Sequence, residues 1–268
     1  MTSWEFPGAD PIDLLVNIPS GSVAVSGEAT DVTTVEVVTS RPSRDSERLI
    51  SELQVSFADG RLEIVQPKTS GFLRISSSGL DVTVKVPAGS RCTARTASAD
   101  VSVVGELAEL DARTASGDVT AALVTGRAEL TTASGDVFVE KTGADVSVNT
   151  ASGDIQLREA GGEVTATTAS GDVSIGHPAG SVHASSASGD IQIRRAVRGE
   201  VALKTVSGDA TVGVPSGADV YLDLSSLTGR LSSQLQESDG GGGADLQLRC
   251  RTVSGDIKII RAEPAPAA

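Results

Sequence analysis

Aromatic residues are nearly absent: one Trp, one Tyr and four Phe stand in 268 residues. An interior must therefore be built from Val, Ala, Leu, Ile and Thr, which suits thin packed layers rather than a deep aromatic centre. Cysteine is equally scarce. Cys92 and Cys250 lie far apart without CxxC or Cys/His spacing, so neither a disulfide framework nor a zinc site is expected. No apolar run approaches the ~20 residues of a membrane span, and the first residues, MTSWEFPGADPIDLLVNIPSG, carry no basic start followed by an apolar stretch. A cytoplasmic protein is the resulting expectation. Positive charge is also in deficit: a net charge of −13 disfavours phosphate backbones and anionic head groups, so neither nucleic acid nor membrane is expected as a partner.

What the chain does have is a repeat. TASGD or a near variant recurs with a strict 18-residue period, its serine falling at Ser98, Ser116, Ser134, Ser152, Ser170 and Ser188. Ser207 follows after 19, a degenerate copy at Thr228 (LTGRL) after 21, and Ser254 after a further 26. A second glycine falls about midway, so each repeat consists of two nine-residue halves. Apolar residues within the halves alternate, as in Val137 and Val139, Ile155 and Leu157, or Val146 and Val148. Steps of two mean strands, and no helical stripe interrupts this region.

One such unit cannot bury its own apolar face, but stacking each coil on the next closes a continuous core. The expected fold class is all-β: a parallel β-solenoid (β-helix or β-roll) with 18-residue coils and two principal faces. Residues 1–90 alternate in the same way with a decayed repeat and are expected to form irregular coils and a cap of the same solenoid. Trp4 and Phe6 would cover the first open end. Residues 91–261 form the regular array; SDGGGGAD reads as an extruded loop, and 262–268 as a disordered tail.

In each SGD corner, glycine tolerates positive φ while Ser and Asp bond turn amides, so Gly117, Gly135, Gly153, Gly171, Gly189, Gly208 and Gly255 are expected as structural turns. Stacking would also align Asp118, Asp136, Asp154, Asp172 and Asp190 at ~4.8 Å intervals, which raises a calcium-ladder reading. Calcium rolls carry GGxGxD at every turn, a pattern missing from these half-repeats, so turn capping is the expected role and no metal site is assigned. His177 and His183, the two histidines, have no ligand or triad spacing, and the serines belong to the repeat. No catalytic residue and no cofactor are expected. Arg194, Arg195, Arg198 and Lys204, like Arg249, Arg251, Lys258 and Arg261, form basic concentrations: solvated or edge-blunting charge in one reading, a docking patch in the other.

The serial TASGDV, TASGDI and SASGDI motifs, with the VPAG and VPSG lead-ins, resemble a bacterial β-strand-repeat family of unknown function labelled "putative adhesin". The resemblance runs from GSVAV to Ile259 and implies a β-solenoid, with no catalytic residues to carry over. The expected function is a non-catalytic module that presents a long regular face to a protein partner. The alternatives are a self-assembling, bactofilin-like scaffold whose open coils associate end to end, and an exported adhesin.

Overall fold

The computed structural model describes residues 2–40, 46–67, 79–235 and 245–262. The glycine loop, apart from Asp245, and the tail after Ala262 lie outside them. Residues 1–135 and 136–268 form two compact units. This division falls within the regular array, because the segment before residue 90 shares its unit with the first regular coils.

In the first unit the elements run β1 (Thr2–Pro7), β2 (Asp13–Glu28), β3 (Val32–Thr39), α1 (Ser46–Glu52), β4 (Gln54–Ala58), β5 (Arg61–Val65), β6 (Leu80–Pro87), β7 (Ser90–Arg113), β8 (Val119–Val124) and β9 (Ala128–Thr131). One edge of β2 pairs in parallel with β7, from Asp13 opposite Arg91 to Gly27 opposite Gly105. Its other edge pairs in parallel with β5 and then β6. Beyond β7, the strands β8 and β9 follow one repeat further on, Val101 opposite Val119 and Leu110 opposite Ala128. Away from β7 the direction changes: β3 lies antiparallel on β6, β1 on β3, and β4 on β5. Parallel coils thus end in an antiparallel cap, and Trp4 and Phe6 lie half-buried in it, Phe6 against Phe57 with ring centroids 5.1 Å apart.

The ADG signal forms the β4–β5 hairpin, with Asp59 and Gly60 both at positive φ, as a tight two-residue hairpin turn requires. The helix α1, ahead of the repeat, was not legible from apolar periodicity; the pair Arg48–Glu52 at 2.6 Å, one turn apart, is its local signal.

The second unit contains β10 (Val137–Thr142), β11 (Val146–Asn149), β12 (Ile155–Ala160), β13 (Val164–Ser170), β14 (Val173–Pro178), β15 (Val182–Ser188), β16 (Ile191–Ile193), β17 (Gly199–Ser207), β18 (Ala210–Val214), β19 (Val220–Thr228), β20 (Leu231–Ser233), β21 (Leu246–Ser254) and β22 (Ile257–Arg261). The even-numbered strands make one parallel ladder and the odd-numbered strands another, so the fold is an all-β parallel solenoid with two principal faces. Val137 pairs with Ile155, Ile155 with Val173 and Val173 with Ile191, each a step of one full repeat. Alternate apolar side chains of both ladders are buried, including Val139, Leu157, Ile175, Val148, Ala166 and Ala184. Each fully buried Val, Leu or Ile contributes about 1.5–3 kcal/mol.

Coil order departs from chain order at the end. The last coil in sequence, β21–β22, lies between β17–β18 and β19–β20, pairing with both. The inward positions differ between the two coils: Leu246, Leu248, Cys250, Ile257 and Ile259 are almost wholly buried, whereas their register partners Val220, Leu222 and Leu224 are half-buried, Leu231 is 50% exposed and a serine, Ser233, stands opposite Ile259. The coil with the more complete apolar set takes the interior place. The copy at Thr228 is therefore a genuine coil, and Cys250 lies in the penultimate coil rather than the last, contrary to a simple reading in chain order.

Candidate functional site

Each TASGD corner is a set of bonds from one coil to its neighbour. The Thr132 hydroxyl accepts the Gly135 amide at 3.0 Å and donates to the Gly117 carbonyl at 3.3 Å. Thr168, Ser186, Thr205 and Thr252 donate in the same way to the carbonyls of Gly153, Gly171, Gly189 and Gly208, at 3.1–3.3 Å. The row of threonines is buried and satisfied, which explains why it shares the parity of the apolar residues.

The corner glycines have a second physical reason beside the one their turn chemistry suggests. Gly117, Gly135 and Gly171 take no left-handed φ; a Cβ on any of them would run into the carbonyl of the preceding corner. The same close approach holds at Gly189, Gly208 and Gly255, which also take the positive φ that the turn chemistry leads one to expect. Inter-coil spacing, more than φ, requires glycine here.

The aspartates also act between coils. Asp154 N–H donates to Oδ1 of Asp136 at 2.9 Å, Asp172 to Asp154, Asp190 to Asp172, Asp209 to Asp190 and Asp256 to Asp209, each of the latter at 2.8 Å. In the first unit Asp118 N–H donates to Asp100 at 3.0 Å. The ladder ends where the Arg230 amide donates to Asp256 at 2.9 Å, since Arg230 has no carboxylate to offer a further coil. One oxygen of each of these acceptors is thus committed to a backbone amide. Among the described residues no group of three or more His, Cys, Asp and Glu is placed to hold a metal ion. Asp209 is held below the ordinary carboxylate range, first by the Asp256 amide and then by Lys258 Nζ at 2.9 Å.

The other singled-out residues are dispersed. His183 stands on β15, 3.7 Å from Glu163, whereas His177 lies on β14 in the other ladder. Cys92 and Cys250 are buried, and burial first, then Asp111 and Asp223 respectively, pushes each thiol up to about 12. Arg249, Arg251 and Lys258 are matched to Glu200, Asp223 and Asp209. Lys204 belongs to β17, so the structure separates it from Arg194, Arg195 and Arg198, which follow the even-numbered ladder.

Two outer faces carry grooves. The first unit has one of about 600 Å³ over Leu14, Cys92 and Leu110, rimmed by a lattice of opposite charges. There Arg91 reaches Asp13 and Glu109, Arg95 reaches Asp111, and Arg127 reaches Glu129. The second unit has one of about 780 Å³ across β10, β12, β14 and the end of β16, walled by Phe138, Gln156 and Arg158 on one side and Arg194 and Arg195 on the other. Its floor is Ser174 and Gly176. Composition did not reveal this groove; its signal was a small Ser174/Gly176 pair where neighbouring coils carry Gln156/Arg158 and Gln192/Arg194.

The Toastrack DUF4097 family model matches residues 13–260. None of the curated proteins matches the chain. Similar solved structures include a "putative adhesin" from Bacteroides fragilis, 12% identical over 97% of this chain and 96% of that one, with a TM-score of 0.46. A "putative lipid binding protein" from Parabacteroides distasonis is 16% identical over 97% and 96%, with a TM-score of 0.44. A "putative cell adhesion protein" from Clostridium sporogenes is 15% identical over 97% and 99%, with a TM-score of 0.26.

Proposed function

The chain belongs to the Toastrack DUF4097 family, and on that premise we propose that it is a discrete, non-catalytic binding module whose working surfaces are the flanks of its coils, turned to a protein partner. The observation that carries this reading is the end of the aspartate ladder at Arg230. Every coil before it in the second unit offers the next an acceptor, and the outermost one does not. A stack that ends in this way offers no side-chain acceptor to a further coil, which supports a finite module with its flanks left for recognition. Rigid parallel strands there hold outward side chains in register, such as Thr165, His183 and Ala202 on successive coils. Recognition by such a surface costs little ordering entropy.

The scaffold reading draws on the same end. Leu227 and Leu231 are exposed on the outermost coil, and the outer edges of β19 and β20 pair with no other strand among the described residues. Photo-crosslinking in cells separates the two. A benzophenone side chain placed at Thr167 or Ser174 on the flanks is expected to give adducts with a second protein, and one at Ser225 or Ser232 on the end coil to give none with a further copy of the chain. Self-adducts from the end coil, with no partner at the flanks, would establish the scaffold instead.

A further inference from the structure

We infer that the groove across β10, β12, β14 and β16 is a docking site for an acidic peptide segment of a partner protein, with a carboxylate seated over Gly176 between Arg158 and Arg194 and an aliphatic side chain beside it. The inference deepens the reading of the flanks as protein-binding surfaces and rests on it.

Register brings the two arginines to either side of one glycine. Leu157 pairs with Ile175 and Ile175 with Ile193, so Arg158, Gly176 and Arg194 follow at the same level on three successive coils. At ~4.8 Å per strand, the two arginine backbones stand roughly 10 Å apart across a residue without a side chain. That gap admits a carboxylate that meets the Arg194 guanidinium directly and reaches Arg158 by exchange with its Glu140 partner on the coil beyond. Gly176 is enforced by the backbone, since a Cβ there would meet the Arg158 carbonyl. The opening is therefore permanent.

Charge identifies the occupant. The two acids in the walls are already matched, Glu140 to Arg158 at 3.1 Å and Glu159 to Lys141 at 2.8 Å. Among the described residues Arg194, which lines the groove, forms no ion pair, and Arg198 donates from Nε to the Ala179 carbonyl at 3.0 Å. In a protein of net charge −13, this is a local excess of positive charge in a concave place. The charged groove of the first unit, whose arginines are paired around its rim, offers no such excess.

Beside the notch lies a second hollow of about 440 Å³ that shares Glu159, His177 and Arg195 with it and adds Pro178, Ala179, Val197 and Arg198. Val197 is 46% exposed there. A carboxylate next to an apolar shelf fits a peptide in which acidic and aliphatic residues alternate. It fits a bare anion or a polyanionic sugar less well, because neither fills the shelf.

The test is a fluorescence-anisotropy titration of the full chain with a labelled peptide alternating Glu and Leu. The expected result is saturable binding that weakens about tenfold for Arg194→Gln and is lost when the peptide's Glu residues are Gln. Lys204→Gln on the odd-numbered ladder should leave it unchanged. Equal binding of the Gln peptide, no effect of Arg194→Gln, or preference for an oligogalacturonate over the peptide would overturn the assignment. Should the titration fail while flank crosslinks persist, the groove is excluded and the module reading survives; absent flank crosslinks remove that reading whatever the titration shows.

Discussion

The backbone amide of Arg230 donates to Oδ1 of Asp256 at 2.9 Å, although Asp256 follows it by 26 residues in the chain. This bond places the coil around Leu227 outside the coil around Cys250 and ends the ladder. Two consequences of that ladder can be measured.

First, the aspartates work as hydrogen-bond acceptors for the next coil, so Asp154→Asn should keep stability within about 0.5 kcal/mol, while Asp154→Ala should lose about 1–2 kcal/mol. Denaturant midpoints of the two variants check this. Equal losses would mean that charge, rather than the acceptor, is what the corner needs.

The pH response of the end coils follows from Asp209. Its carboxyl is held below the ordinary range, first by the Asp256 amide and then by Lys258. A depressed carboxylate stabilises the fold fully above its unfolded value of about 3.9, and that contribution fades as pH falls through the lowered folded value. Because the side chain is partly exposed, the effect is modest. Amide protection in β18 and β22, taken relative to the intrinsic exchange rate at each pH, should fall on acidification below about pH 4, and Asp209→Asn should flatten that dependence. An unchanged acid profile in the variant would assign the response to other groups.

Threonine substitutions should divide by context. Thr168 donates to the Gly153 carbonyl, so Thr168→Val should cost about 1 kcal/mol. Thr142 Oγ1 is buried with no hydrogen-bond partner among the described residues; its register partner is Ala160, which in turn pairs with Pro178 on the next coil. Thr142→Val should be neutral or stabilising by up to about 1 kcal/mol. Thermal melts of the pair decide it; destabilisation by Thr142→Val would mean the hydroxyl finds a partner in solution.

Both thiols should be silent in the native state. With burial pushing Cys92 and Cys250 up to about 12, iodoacetamide at about pH 8 should leave the folded chain unlabelled and modify both residues after denaturation. Native labelling of Cys250 alone would show that the coils around it open.

The distance between what the sequence discloses and what the structure adds is instructive at particular residues. The repeat step and the inward parity of Val137, Ile155 and Val173 were legible, because strand periodicity and repeat spacing are local properties. The place of β21 between β17 and β19 was not. Both candidate coils alternate in the same way, and their inward positions differ chiefly in the second strand, where one carries Ile257 and Ile259 and the other Leu231 and Ser233. Gly171 was legible as a corner but for another reason, since its constraint is the Gly153 carbonyl, one full repeat earlier in the chain. Arg158 and Arg194 became one site only when Gly176 fell between them, a juxtaposition that spans two repeats of the chain.

The most direct test of the finite module is sedimentation velocity of the full chain across a wide concentration range. The account predicts one boundary corresponding to the 27.1 kDa monomer, unchanged as concentration rises. A sedimentation coefficient that grows continuously with concentration would contradict it and make the coil around Leu227 an assembly surface.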